Sequence, residues 1–358
     1  MKANLNRGIQ DVKSELSLEG PKDSFIEDIK TNFGLIKKRI KSKNLKDKKF
    51  NIGRYTKTDV KLLYMEDIAK KSLVEHTEKK LQGIIIDGIL DSSYLKRYLT
   101  EQFNIFPTIV ATERPDKCCM ALLEGKIVIL VDNSPYALIL PNFIQDFLHT
   151  TDDYYQKSFN TTFIRIIRLI AFIIAVFTPA IYISVTTRNY DLIPLPLLYT
   201  LKAGRSFVPF PAYIEALFMI VCFEILKESD LRMSTTSGSA ISILGGLILG
   251  DAAVAAGIVS PIMIIVIAIS SISGLIFQSI ELGNALRIYK IILLILSTLY
   301  GILGVGIGFI LLITNILKTK NLGFPYVEIS NELVNDSIMK KNTYERNEAL
   351  TNNKIRGR

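Results

Sequence analysis

The stretch "PFPAYIEALFMIVCFEILKES", residues 209–229, decides how this chain is read. It is as apolar as a membrane helix, yet it carries Glu215 and Glu224. A carboxylate at the centre of a bilayer costs at least ~2.5 kcal/mol on insertion scales, so each must find water, a partner or a proton. Nine helical steps of about 100° set the two on opposite faces, so one helix cannot aim both at one point. Arg205, Lys227 and Arg232 are the candidate partners. For Glu215 two readings stand level. The segment lies partly outside the lipid, or Glu215 lines an aqueous cavity in an assembly. Glu224, close to Lys227 and Glu228, reads first as facing lipid headgroups and second as an intramembrane polar group.

Outward from this stretch the chain divides in two. Mean hydropathy over the 358 residues is +0.30, but residues 1–160 hold 26 Lys/Arg and 22 Asp/Glu, against 11 and 7 in 161–320. The first part reads as a soluble α/β domain. Residues 161–320 read as an α-helical multi-span membrane domain, and 321–358 as a polar tail. Apolar spans are expected at 163–187, 237–260, 261–280 and 288–317, each long enough for a core of ~30 Å, with 209–227 as a fifth segment that spans or lies flat. Arg188, Lys202, Arg205, Arg287 and Lys290 fall in the connecting loops on this reading, and they do not settle the parity of the spans. The start is polar, so the first apolar span is expected to serve as the insertion signal, with the soluble part on the cytoplasmic side.

Within residues 1–160, helices are expected at 24–40 (with a Ser24–Glu27 capping box), 72–82, 91–99 and 113–125. Strands are expected at 59–66, 83–89 and 106–112, with a hairpin over 126–141. Strands and helices in alternation imply a central sheet. The net charge of +9 has a concentrated source in "KKRIKSKNLKDKK" (37–49), eight basic residues to one acid. This run reads as a solvated loop. Its sharper reading gives Lys37, Lys38, Arg39 and Lys41 to anionic headgroups at ~1 kcal/mol each. No nucleic-acid signature accompanies it.

Nothing points to catalysis or a cofactor. Cys118, Cys119 and Cys222 form no CxxC, and His76 and His149 stand far apart, so no metal site is expected. There is no GxSxG, Walker loop or HExxH, and Asp87 and Asp91 read as turn chemistry. Gly246 and Gly250 form a GxxxG that lets helices approach closely. "GILGVGIG" (301–308) lies inside an apolar span, so Gly304 and Gly308 read as packing glycines and not as a nucleotide loop. Asp251, a charge among small residues, suggests a pore mouth or a helix end.

Seven motifs then occur in order: "EGPKDSFIEDIKTNFGLIKKRIKSKNLK" (19–46), "GRYTKTDVKLLYMEDIA" (53–69), "DGILDSSYL" (87–95), "ERPDKCCMALLEGKIVILVDNSPYALILP" (113–141), "VPFPAYIEALFMIVCFEILKES" (208–229), "GDAAVAAGIVSP" (250–261) and "GFPY" (323–326). Together, over roughly residues 18–327, the chain resembles the A subunit of GerA-type spore germinant receptors. The resemblance implies a multi-pass protein of the spore inner membrane, with a permease-like B subunit and a lipoprotein C subunit as partners. It implies a homo-oligomer, pentameric in the family's pattern, around a nutrient-gated cation channel. A related sporulation membrane protein forming an accessory channel shares most of the motifs. A secondary transporter and a membrane scaffold are the readings from other classes. Ala255 stands where the family's pattern has Glu, and the family's first soluble subdomain precedes the "GP" motif.

Overall fold

The computed structural model describes residues 8, 11–12, 15, 19–101, 104–232, 245–246, 248–277 and 279–327. They belong to two compact units, Met1–Ile166 with Ile316–Arg358, and Ile167–Asn315.

The first unit is built on a five-stranded antiparallel sheet: β1 (Leu45–Ile52), β2 (Thr58–Met65), β3 (Val110–Thr112), β4 (Ile127–Val131) and β5 (Ala137–Leu140), ordered β1-β2-β4-β5-β3. Successive side chains of a strand point to opposite faces, and here both faces are covered. Ile127, Ile129 and Val131 of β4 pack with Leu73, Leu81, Leu95 and Leu99 of α2 (Lys71–Gln82) and α3 (Ser92–Leu99). Val128 and Leu130 pack with Ile29, Ile36, Cys118 and Leu122 of α1 (Ile29–Arg39) and α4 (Pro115–Leu123). That is why "KIVILV" has no polar alternation. Each such fully buried side chain contributes roughly 1.5–3 kcal/mol.

Local chemistry sets the helix ends. Asp91 caps α3 by accepting from the Ser93 N–H at 3.0 Å, and Pro115 opens α4 at a position that needs no N–H. Gly125 follows α4 with φ of 85°, which suits glycine. The expected capping box does not form. Asp28, not Ser24, caps α1, accepting from Thr31 N–H at 2.9 Å, while Asn32 hydrogen-bonds both the N–H and the carbonyl of Ile26 and holds the preceding segment extended.

Two expected elements are corrected. The basic run 37–49 is not one loop. Lys37–Arg39 close α1 and Leu45 onward is β1, an edge strand whose lysines face solvent, a common guard of exposed sheet edges. Residues 83–89 form no strand. Their carbonyls at Ile86 and Asp87 accept from Arg54 and Tyr55 in the β1–β2 turn, and Ile89 is fixed between Thr56 and Thr58 hydroxyls. The strand expected over 106–112 is shorter, only Val110–Thr112.

Cys118 and Cys119 sit on the buried side of α4. Burial pushes both thiols up, that of Cys119 to about 12. Neither presents a thiolate near neutral pH. Iodoacetamide at pH 8 should leave both unlabelled in native protein and label both in urea. Equal rates in the two states would contradict the burial.

The chain returns to the first unit after the apolar helices. Lys320–Asn321 pairs with Phe324–Pro325, Asn321 donates to the Thr108 carbonyl, and the Tyr326 carbonyl accepts from Ile144 N–H. The Tyr326 ring is fully buried, 6.3 Å from the Phe106 centroid. The "GFPY" motif is thus a structural seam. Residues 328–358 lie outside the described residues.

The second unit is helical: the Ser158–Thr187 helix, entering from the first unit, then Leu195–Gly204, Ala212–Arg232, a helical stretch at 248–255, Pro261–Leu275, Ile280–Tyr300 and Ile302–Lys318. Among the described residues, two of these helices are long and apolar enough to cross a membrane, Ser158–Thr187 and Ile280–Tyr300. The single span expected over 288–317 is two helices, broken at Gly301 with φ of 62°. Gly304 lies so close to Leu296 that a Cβ there would overlap its carbonyl oxygen, and one on Gly308 would overlap Leu293. The two helices therefore form a tight hairpin. Its tip is fastened by Arg188 to the Thr298 carbonyl at 3.3 Å and by Asn189, which accepts from Ile302 N–H at 2.9 Å.

Candidate functional site

The polar groups inside the helical unit are the candidates, because each must be stabilised where water is scarce. Glu215 has no exposed side-chain surface. Its Oε1 meets Arg205 Nη2 at 2.9 Å and its Oε2 accepts the Ser260 N–H at 2.9 Å. Ser260 is the N-cap of the Pro261–Leu275 helix, so the carboxylate also stands at the positive end of a helix dipole. Of the partners foreseen for Glu215, Arg205 takes the position. Ile183, Ala212, Ala216, Val259 and Met263 pack in the same buried cluster. Within the chain Glu215 is a strut that joins three segments.

A second polar contact repairs a helix defect. Pro179 lies inside Ser158–Thr187 and has no N–H for the carbonyl four residues earlier. That carbonyl, Ala175 O, accepts instead from the buried Ser270 hydroxyl at 2.7 Å. Exchange of a lost backbone bond for a hydroxyl from a neighbouring helix is how apolar bundles tolerate proline.

The other carboxylate, Glu224, pairs with Arg287 at 2.7 Å. Arg287 and Lys290 are not in a loop as expected. Both lie within the Ile280–Tyr300 helix, and Lys290 is 9% exposed. They face Glu224 and Lys227 across a cleft of about 670 Å³ and an adjoining hollow of about 30 Å³. The 280–290 stretch "IELGNALRIYK" looks amphipathic, and that was the available signal for an ionic interior helix. The Arg232 side chain lies outside the described residues.

The remaining candidates do not converge on these groups. Asp251 is exposed. A Cβ on Gly246 would touch Leu226 at 3.9 Å, whereas Gly250 faces open space. In the first unit Lys37, Lys38 and Lys41 are exposed, while Arg39 is bound to both oxygens of Asp23. Among the described residues no group of three His, Cys, Asp or Glu is placed to hold a metal ion.

The motif "ERPDK" has a different place, in a buried knot of the first unit. Arg114 is 1% exposed and donates to both oxygens of Asp116, at 3.1 and 2.7 Å, and to the Pro21 carbonyl at 3.2 Å. Tyr155 donates to Asp116 at 2.8 Å, and its ring lies where a Cβ on Gly20 would go. The "GP" and "ERPDK" motifs thus meet, and the Tyr155 ring together with a φ of 102° explains glycine at 20.

Comparison with known proteins gives the class. The Bacillus/Clostridium GerA spore germination protein family matches residues 1–352. The chain belongs to this family. It is 38% identical over 322 residues to spore germination protein KA of Bacillus subtilis (strain 168), covering 90% of this chain and 59% of that protein. It is 34% identical to the uncharacterized membrane protein YfkQ of the same organism, covering 91% and 64%. The chain thus spans about three fifths of the length of these relatives. Among solved structures it is similar to the N-terminal domain of the A subunit of the Bacillus megaterium spore germinant receptor GerK3. There the identity is 43%, the coverage 33% of this chain and 94% of that one, and the TM-score 0.28.

Proposed function

We propose that this chain is a membrane subunit of a nutrient germinant receptor, and that copies of it gather around a hydrated, cation-conducting axis in the spore inner membrane. The observation that carries this is the family match over nearly the whole chain. A permease-like B subunit and a lipoprotein C subunit are its proposed companions.

The helical unit supports a membrane position. Phe163, Ile170, Ile173, Ile265, Ile272 and Ile310 are each at least half exposed, more bare apolar surface than water tolerates in a monomer. Its helices also run back and forth. Ile183, near the end of the Ser158–Thr187 helix, packs at the start of the Ala212–Arg232 helix and beside Val259. Leu226 lies by Gly245, and Glu224 by Arg287. The legs thus alternate in direction: 158–187, 212–232, 248–255, 261–275, 280–300 and 302–318. An even number of crossings is proposed because both ends of the helical unit lead, in sequence, into the first unit. That unit is proposed to lie on the spore-core side, with Lys37, Lys38 and Lys41 available to headgroups. Asp251, exposed beside Ala252 and Ala255, is the carboxylate proposed to face the shared axis. Glu215 is proposed to act from within the protomer.

The test is assembly with conduction. The chain, co-produced with its B and C companions and reconstituted in vesicles, is expected to form oligomers in mild detergent and to release trapped potassium on nutrient addition. Asp251→Asn should reduce that release at normal protein level. A monomer with tight vesicles in every condition would refute the reading.

A further inference from the structure

We infer that the cleft between the Ala212–Arg232 and Ile280–Tyr300 helices is a binding site for the phosphate of an anionic phospholipid. The cations are Lys227, Arg287 and Lys290. Arg287 holds Glu224 with one guanidinium nitrogen, while its Nε is buried without a hydrogen-bond partner among the described residues. Lys290 is more than nine-tenths buried, opens on the 30 Å³ hollow, and has no hydrogen-bond or ion-pair partner among the described residues. Lys227, half-buried at the same hollow, has none either. Glu228 is at the exposed rim. Two ammonium groups against one already engaged carboxylate leave a positive interior. In an apolar bundle that calls for an anion.

The cleft walls choose the source of the phosphate. Val221, Ile225, Leu275 and Ile280 line the larger cavity and are exposed at its mouth. A free aqueous anion gains nothing from that apolar flank, whereas an acyl chain covers it. Gly283 and Lys227 line both the cleft and the hollow, so the space for a headgroup lies against the ammonium. Basic pockets between membrane helices bind anionic headgroups by this combination.

This inference rests on the membrane position proposed above, and the experiment separates the two. The full chain is placed in nanodiscs of phosphatidylcholine with or without phosphatidylglycerol, extracted gently, and its retained lipid measured by native mass spectrometry. Wild type is expected to retain phosphatidylglycerol over phosphatidylcholine. Lys227→Gln with Lys290→Gln should lower that retention on the order of ten-fold or more, while Lys227→Arg with Lys290→Arg keeps it. Equal retention of the two lipids, or unchanged retention in the glutamine pair, overturns the site. Displacement of the lipid by inorganic phosphate makes it a small-anion site and also overturns it. Failure to enter the nanodiscs overturns the membrane reading itself. The arginine pair separates lost charge from lost folding.

Discussion

Arg114→Ala is expected to destabilise the first unit by about 3–5 kcal/mol, the cost of removing one partner from a buried ion pair. The guanidinium is fully buried and donates to Asp116 and to the Pro21 carbonyl. Its removal leaves a buried carboxylate with only Tyr155 and nearby backbone, and frees the segment that carries Gly20 and Pro21. Arg114→Lys should recover little, because an ammonium cannot span both carboxylate oxygens and the carbonyl in one plane. Hydrogen exchange of peptides from β3 and α4 would report the loss directly, and protection within about 1 kcal/mol of wild type would contradict it. The pair also sets an acid limit. Burial alone would raise the Asp116 carboxyl, but the hydrogen bonds from Arg114 and Tyr155 outweigh it and hold the group below its ordinary 3.8. A depressed carboxylate contributes stability above its unfolded value and loses it as pH falls through the folded one. Wild type should therefore weaken below about pH 4. Asp116→Asn, less stable at pH 7, should lack that part of the acid dependence.

The sequence carried the first unit unevenly, and the reasons are physical. The hairpin over 126–141 was legible because its residues are apolar without interruption and turn at Asp132–Pro135. The α3 and α4 ends were legible from Asp91, Pro115 and Gly125. β1 was hidden because its lysines serve the sheet edge, so its composition is that of a loop. Residues 83–89 misled in the opposite direction. Three isoleucines in a row suggest a strand, but Gly88, where a Cβ would overlap Thr56, lets the segment lie against the β1–β2 turn, with Ile85 left 93% exposed. In the helical unit, apolar character was plain but segmentation was not. Gly301 breaks a run that composition alone reads as continuous, because glycine is the residue that accepts φ of 62° there. The Ser270–Ala175 bond was beyond reach, since nothing in a sequence says which hydroxyl answers a proline 91 positions earlier.

Glu215→Ala is expected to cost about 3–5 kcal/mol as well, through a different route. It removes the counter-ion of Arg205 and the acceptor of the Ser260 N–H together. Glu215→Gln keeps an acceptor for Ser260 but not the charge, so its cost should fall between that of alanine and wild type. The informative variant is the pair Arg205→Met with Glu215→Met. Apolar replacement of a buried ion pair is often neutral or stabilising, so the pair should recover most of the stability that either single change loses. That recovery separates a strut from a pore wall. A carboxylate lining the ion path would alter conduction in the Gln variant at unchanged stability, and Arg205→Met would not repair it. The in-chain geometry points the other way: single variants are expected to reduce folded protein, and the proposed ion release to fall in proportion to that amount. Thermal unfolding of wild type and these variants in one detergent, with ion release normalised to folded protein, decides the matter. Normal stability with altered release in Glu215→Gln would return this residue to the hydrated axis.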